Sequence, residues 1–437
     1  MQRLLFVWVL VVFAAADGSA QTLRIFHIDV EQADSALIVM PNGKSLLIDS
    51  GNNSQGDRIR KVMSQAGVTQ IDAFVASHYH ADHYGSIDDL VRDGIKVLES
   101  FDRGRRDLVK AEDKTKPRYK EYIASVGEDA IALRPGDTID LDASVTVRCI
   151  AASGAVLGAP IATSDDENDL SVSLLIEFAG FKAFFGGDTH SPIEGLIGAG
   201  HLARDVDLYK ASHHGSETSS SAAFMADLQP SLIVISNGSN KTFKHPRQFT
   251  LQTYDGLTPK PVVLQTNRCN HGSPCKNVEA EFIADPDVSG KDGTIQIVVD
   301  AVTRTYTARY GLNTVRTFPF KSTGLPVTPV VTAAAVIQSL LPNPTGDDAH
   351  LEEVTIRNAG SAPIDLTGWG LKDRLGETWV LTGTLQPGQS HTFRRNGQRM
   401  TLNNAGDEIV LIDAASVERD RFSYGSSSQG VRIATNH

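Results

Sequence analysis

The chain has 437 residues, long enough for a large core and a second, smaller domain. Asp, Glu, Lys and Arg make up 21% of it, and the formal net charge is −11. That acidity excludes a surface coated in cations to hold nucleic acid, but leaves room for a local basic groove or for phosphate binding through metal ions.

Arg3 precedes an apolar run from Leu4 to Ala16, and Gly18-Ser19-Ala20 supplies small residues before Gln21. Residues 1–20 therefore read as a secretory signal peptide cut after Ala20, with an uncleaved anchor as the alternative. The run is short for a bilayer span, no later segment approaches 18 continuous apolar residues, and no Cys near the cut could carry lipid. The expected product is secreted, periplasmic or at the cell surface, with no transmembrane span in its mature form. Cysteine usage agrees with export. Cys269 and Cys275 bracket a short loop that closes as a disulfide outside the cytoplasm, a zinc knuckle being the competing reading. Cys149 lies in an apolar stretch and reads as buried.

From Thr22 to about Leu312 strands and helices alternate. Residues 23–28 and 35–40 read as strands, 41–44 as a turn, and 45–51 as a strand running into a glycine turn. Residues 57–66 look helical and stop at Gly67. The apolar run 71–76 is a buried strand that opens into Ser77-His78-Tyr79-His80-Ala81-Asp82-His83. Alternate residues share a face, so His78 and His80 aim together, while Asp82 and His83 turn toward a neighbouring point. Two nitrogens then address one cation, and an oxygen–nitrogen pair addresses a second. Imidazole with carboxylate suits zinc, with manganese or iron as alternatives. Solvated surface histidines are the bland reading, but ligands at this density are rare outside metal sites. His-x-His-x-Asp-His, set between a strand and the helix-like 86–91, resembles the metallo-β-lactamase superfamily. The resemblance implies an α/β fold, the αββα sandwich of that superfamily, and two divalent metal ions, zinc first and manganese second.

The segment 101–122 carries Arg103, Arg105, Arg106, Lys110, Lys114, Lys116, Arg118 and Lys120. It is either a solvated face or a basic lip beside the metal site. Further strands are expected at 145–151, 170–178, 181–185, 206–211 and 232–236, with a helix at 222–228 between the last two. The alternation fits a two-layered α/β sandwich rather than a doubly wound sheet.

Phe184-Phe185-Gly186-Gly187-Asp188 ends one of these strands. In the superfamily resembled, this carboxylate bridges the two metals, and the glycines let the backbone pass close to them. His213-His214-Gly215-Ser216-x-Thr218-Ser219-Ser220 follows the next strand. It resembles the metallo-hydrolase domain of ComEC/Rec2-type competence proteins. So does Asp29-Val30-Glu31-Gln32-Ala33-Asp34, although Glu31 and Ala33 stand where that group has glycines. The resemblance implies one metal on His78, His80 and Asp188, and another on Asp82, His83, Asp188 and a late histidine. Whether His213, His214 or His245 is that ligand stays open. Asp34 and Asp49 become orienting groups for the histidines. Many superfamily members place a histidine between the first motif and the bridging Asp. This chain has none from residue 84 to 187, so either Asn168, Asp169 or His213 substitutes, or the first metal is weakly held or binds with the substrate.

Such a centre would hold a hydroxide between its cations and neutralise charge on a phosphoryl or carbonyl oxygen. Asp82, His213 and His214 are the candidate catalytic groups, one of the two histidines protonating the leaving alkoxide. Lys210, Ser216, Thr218 and Ser219 are candidates for phosphate oxygens, although Ser and Thr after a strand usually cap a helix. The expected function is a secreted dinuclear-metal phosphodiesterase or nuclease, with a phosphodiester such as DNA as substrate. The alternatives are a hydrolase of a lactone, β-lactam or thioester, and a non-catalytic cell-surface binding module.

Residues 21–317 are taken as the hydrolase domain and 318–332, with Pro319, Pro326 and Pro329, as a linker. From 333 to 437 short alternating strands and turns suggest a small β-sandwich. Glu353-x-x-x-x-Asn358, Asp365-Leu366-x-Gly368-Trp369, Leu385-x-Pro387-Gly388 and Gly406-Asp407 resemble the lamin-tail domain, an immunoglobulin-like module. Its implied partner is DNA, a protein or the cell surface.

Overall fold

The computed structural model describes residues 22–435 except 105, 128–129, 160–163, 165, 287–292, 312–313, 323–334, 359–362, 375, 387 and 415–417. The expected signal peptide and most of the expected linker lie outside the described residues. The chain divides into two units between Val327 and Thr328.

Strands with apolar residues on both faces, such as Ser45–Ile48, Ile71–Val75 and Leu232–Ile235, need burial on both faces. The first unit meets that need with two sheets packed face to face. The first runs Thr314–Pro319, Thr305–Tyr310, Ile295–Asp300, Thr22–His27, Ala36–Val39, Ser45–Ile48, Ile71–Val75, Val97–Asp102, Ile131–Ala132. The second runs Ile283–Asp285, Val262–Asn267, Leu232–Ile235, Leu208–Lys210, Phe181–Phe185, Ser173–Phe178, Val145–Ala152, Ala155–Val156. Leu46, Ile48, Ala73 and Val75 of the first sheet share a core with Leu174, Ile176, Ala183 and Phe185 of the second. The alternate residues Leu47 and Phe74 face outward onto Ile59, Met63, Leu90 and Tyr122 of the helices Gly56–Ala66, Ile87–Arg92 and Pro117–Val126. On the far side Phe184, Tyr209 and Ile233 meet Ile193, Phe224 and Tyr254 of Ser191–Ala199, Ala222–Leu228 and Gln248–Asp255. The result is helix, sheet, sheet, helix. Each fully buried Phe or Leu here contributes about 1.5–3 kcal/mol.

Helix Gly56–Ala66 buries Ile59, Val62, Met63 and Ala66, one face at helical spacing, and stops at Gly67 with φ +74°. Within each sheet the strands nearest the candidate site are parallel. Ser45–Ile48 pairs with Ile71–Val75, and Phe181–Phe185, Leu208–Lys210 and Leu232–Ile235 follow one another. Their C-terminal ends release the loops that carry the candidate ligands, the usual place for a site in a parallel sheet.

Several expectations need correction. The strand expected from 170 begins at Ser173, because Glu167–Leu170 coils into a 3-10 turn capped by the Asp166 carboxylate, which accepts from the Asn168 N–H at 3.0 Å. The basic lip is not what Arg103 and Arg106 make. Arg103 is buried, donates to Glu167 at 2.6 and 2.8 Å, and lies 4.3 Å over the Tyr79 ring. Arg106 pairs with Asp102 at 2.9 Å. Both serve packing of the histidine loop, since Tyr79 and Tyr84 pack against Tyr119 and Tyr122; Arg105 lies outside the described residues. The first unit also runs past the expected boundary at 317. Phe318 stacks on Tyr306 at 5.0 Å and Phe320 is buried. Cys269 and Cys275 form a disulfide, which removes the zinc-knuckle reading, and Cys149 is buried.

Among the described residues, the second unit is all-β apart from one turn of helix. One antiparallel sheet holds Ser390–Arg394, Glu353–Asn358, Ala335–Leu341 and Ile433–Ala434, and another holds Thr378–Val380, Gly370–Lys372, Asp407–Ile412 and Glu418–Tyr424. Ile337, Ile356, Leu371, Trp379 and Leu411 fill the space between them, and the Trp379 indole donates to the Met400 carbonyl at 2.8 Å. No helix among the described residues is long and apolar enough to cross a membrane.

Glu194 ties helix Ser191–Ala199 to the loop after Leu208–Lys210. It is fully buried and accepts from the Ser220 N–H at 2.6 Å and the Tyr209 hydroxyl at 3.4 Å. Burial pushes its carboxyl from 4.5 up to about 8. The folded chain then keeps a proton that the unfolded chain releases, so stability present in acid is lost as pH rises across that interval. We expect Tm to fall between pH 5 and 8 and the fall to be shallower in Glu194→Gln, read by scanning calorimetry. An identical slope in both proteins would remove Glu194 as the cause.

Candidate metal centre

Asp188 is the hub. After Phe181–Phe185 the chain turns through Gly186 and Gly187, and a Cβ on Gly187, at φ +58°, would meet the Cβ atoms of Ser77 and Ser171 at 3.0 Å. Only glycine lets this turn lie against the histidine loop. The Asp188 N–H donates to the Ser171 hydroxyl at 3.2 Å. Its Oδ2 lies 3.2 Å from His83 Nε2, 3.6 Å from His214 Nε2 and 3.8 Å from His213 Nε2.

Asp34, His83, Asp188 and His214 each offer a donor atom, and these atoms all lie within 4.8 Å of one another. Asp34 Oδ1, His83 Nε2, Asp188 Oδ1 and His214 Nε2 are buried without a hydrogen-bond partner. Leaving a buried polar atom unpaired costs about 1–3 kcal/mol. The two imidazole nitrogens with one oxygen each from Asp34 and Asp188 make a clustered nitrogen–oxygen donor set that fits a divalent cation.

The supports of this cluster are specific. Asp49, at φ +58°, accepts from the Ser77 N–H at 2.7 Å and hydroxyl at 2.9 Å, and its Oδ2 lies 2.8 Å from His83 Nδ1. That contact fixes the ring so that Nε2 faces Asp188. His214 Nδ1 lies 3.1 Å from the Ser236 carbonyl. His213 and His214 hold left-handed backbone at φ +51° and +54°, strain that the packed loop sustains at this site.

The other expected ligands fall around the cluster. His78 Nε2 meets His80 Nδ1 at 2.9 Å, and the His78 ring lies 4.1 Å from that of His83. His80 is exposed. Asp82 Oδ2 lies 3.4 Å from His214 Nε2. His245 is buried, its ring 5.5 Å from His213 and 6.2 Å from His214, and it is not one of the four converging donors. Asp34, expected to orient a histidine, instead stands among those four donors.

Three of the four expected phosphate contacts need correction. Lys210 is buried and ion-paired with Asp34, so its charge is already used inside the fold. Ser219 is buried and donates to the Thr189 carbonyl at 2.8 Å. Ser216 is buried against Thr218, hydroxyl to hydroxyl at 3.0 Å. Thr218 remains exposed, its Oγ1 2.9 Å from His213 Nδ1.

His190 was missed. Its Nε2 lies 3.2 Å from His213 Nδ1 and 3.1 Å from Asn168 Nδ2, and its Nδ1 lies 3.5 Å from Asp169 Oδ1. The gap in histidines before Asp188 is thus approached by an imidazole two residues after it, with Asn168 and Asp169 beside that ring. The available signal was the spacing Asp188-Thr189-His190. His27, also missed, is fully buried with neither ring nitrogen hydrogen-bonded, and lines a small cavity with Asp34, Asp49 and Lys210.

Charge is balanced within the site. Burial opposes ionisation of Asp188, but His83, His214 and His213 outweigh it and hold the carboxyl well below its usual range. Against burial, Asp188 and Asp49 lift His83, and Asp188 and Asp34 lift His214. Burial, helped by neighbouring imidazoles, lowers His78, takes His213 to about 4 and takes His245 to about 3. His78, His213 and His245 are thus held neutral, whereas His83 and His214 carry a proton that ligation of a cation would displace.

Residues 44–217 match the family model for the beta-lactamase superfamily domain, and residues 330–426 match that for the lamin tail domain. The chain therefore carries a metallo-β-lactamase-type αββα unit followed by a lamin tail unit. Among relatives, ComE operon protein 3 of Bacillus subtilis (strain 168) is 23% identical over 245 residues, covering 52% of this chain and 30% of that protein. Competence protein ComA of Neisseria gonorrhoeae is 26% identical over 228 residues, covering 50% of this chain and 28% of that protein. The matched part thus spans under a third of either relative. Among solved structures, a diphosphatase from the PhnP family aligns at 13% identity and TM-score 0.33, covering 57% of this chain and 94% of that one. CmlA, a diiron beta-hydroxylase from Streptomyces venezuelae, aligns at 12% identity and TM-score 0.31, covering 49% and 44%.

Asp49 touches His83 rather than the four-donor point, so its role is separable from ligation. Asp49→Ala should weaken zinc binding about 10- to 100-fold in competition with a chromophoric chelator, with the folded circular dichroism spectrum retained. Unchanged affinity would show that the His83 ring is held by packing alone.

Proposed function

We propose that this chain is an exported, dinuclear-metal-dependent phosphodiesterase or nuclease. The observation that carries the reading is the convergence of unpaired buried donors on Asp188. One cation would be held by His83, Asp188 and His214 with Asp34 or Asp82, the other by His78, His80 and Asp188 with the His213–His190 side. Zinc is proposed first and manganese second, from the mixture of imidazole and carboxylate. Two such cations supply an acidified water and neutralise charge developing on a phosphoryl oxygen.

The chain's own groups do the rest. Asp49 and the Ser236 carbonyl fix the His83 and His214 rings. Lys210 offsets the charge of Asp34, which limits the repulsion between Asp34 and Asp188 behind the reacting point. His213 has a side chain 20% exposed, steadied by Thr218 and His190, and is the imidazole open to substrate. Burial holds it neutral near pH 7, so it is assigned contact with the substrate beside the second cation rather than proton donation. The resemblance to competence proteins favours DNA among phosphodiesters, and the disulfide at Cys269 and Cys275 supports export.

The test uses the chain from residue 21, loaded with zinc or manganese, against bis-p-nitrophenyl phosphate, DNA, RNA, a β-lactam and a lactone. Turnover of a phosphodiester is expected, falling to the uncatalysed background in Asp188→Ala. Bound metal with no phosphodiester turnover would overturn the proposal, and turnover confined to the lactam or lactone would replace it with that activity.

A further inference from the structure

We propose that Phe243 is a nucleobase-stacking platform at the mouth of the metal centre, so that the substrate is gripped as a single strand with one base on that ring. This rests on the phosphodiesterase reading above and adds how the substrate is recognised. A lone exposed Phe is ordinary on a protein surface; position, rigidity and local charge set this one apart.

Phe243 is 51% exposed. It lies 6.2 Å from the His245 ring, which lies 5.5 Å from the ring of His213, the imidazole 3.8 Å from Asp188. Three rings therefore lead from the surface to the hub. The turn that presents Phe243 is pinned. Asn240 Oδ1 accepts from the N–H groups of Thr242 at 2.8 Å and Phe243 at 3.0 Å, and the Asn240 carbonyl accepts from the Lys244 N–H at 3.0 Å. Lys244, at φ +57°, donates from Nζ to the Ser273 carbonyl at 3.4 Å, and the Lys276 N–H donates to the Pro246 carbonyl at 3.0 Å. The disulfide-closed loop thus buttresses the turn, and little ordering entropy remains to be lost when a base stacks.

Charge separates this rim from the rest of the chain. In a chain of net charge −11, the turn and the disulfide loop carry Lys241, Lys244, Arg247, Arg268 and Lys276, of which Arg247 is paired with Glu217 at 3.0 Å. Lys241, Arg268 and Lys276 are exposed. An aromatic face beside a positive rim is the combination that grips single-stranded nucleic acid, bases on the ring and phosphates on the cations. A lactone or β-lactam has no row of phosphates for such a rim to meet.

The test is binding, read by fluorescence anisotropy in EDTA so that it does not depend on turnover. The probes are labelled hexamers of thymidine, of uridine, and of an abasic backbone with the same charge. Wild type should bind the thymidine hexamer about tenfold or more tightly than the abasic one. Phe243→Ala should erase that preference and Phe243→Trp should keep it, with the uridine hexamer behaving as the thymidine one because a ring reads the base, not the sugar. Equal weakening of base-bearing and abasic probes in Phe243→Ala, or no preference in wild type, would overturn the proposal. A preserved preference in a protein that hydrolyses no phosphodiester would count against the phosphodiesterase reading alone.

Discussion

An ionised carboxylate sealed from water must be compensated, and the first unit is arranged around that demand at Asp188. With 2% of its surface exposed, it relies on the imidazoles of residues 83, 213 and 214. Those rings come from loops on two different sheets. The sandwich therefore has to bring the strand ends of both sheets to one edge, and the close turn at Gly187 is what lets them touch. Every other device near the site serves this junction. Asp49 and Ser77 hold one ring, Glu194 braces the loop beneath two others, and Arg103 with Glu167 binds the histidine loop to the turn at 166–171.

The local parts of this arrangement were legible in the amino-acid order. Helix Gly56–Ala66, with its glycine stop, and the strand leading into the histidines follow from short-range periodicity. The motif at 78–83 places ligand types within one loop, where spacing alone constrains them. The turn texture after 333 was likewise enough for a small β-sandwich, because alternation of period two is a local signal.

What was not legible depends on partners far apart in the chain. Lys210 looked like a phosphate ligand because a cation at a strand end ordinarily faces solvent, yet it finds Asp34, 176 positions away. Arg103 looked solvated and instead lies under Tyr79 with Glu167, 64 positions away. Neither pairing has a local signature, since the packing of whole elements brings the groups together. His190 was hidden for the opposite reason. Asn168, Asp169 and His213 were the candidates for the gap in histidines, whereas the turn directly after Asp188 folds the next imidazole back toward His213. Asp34 illustrates a third case. Its loop was identified, but only the folded geometry brings it within reach of His83 and His214.

We propose that Asp188 is shared by two cations. Crystals grown with saturating zinc or manganese, and measured at the absorption edge of the metal, test it directly. The account predicts two anomalous peaks in contact with that carboxylate, one beside His83 and His214 and one beside His78 and His80. Density without an anomalous peak at Asp188, in a correctly folded chain, would contradict it.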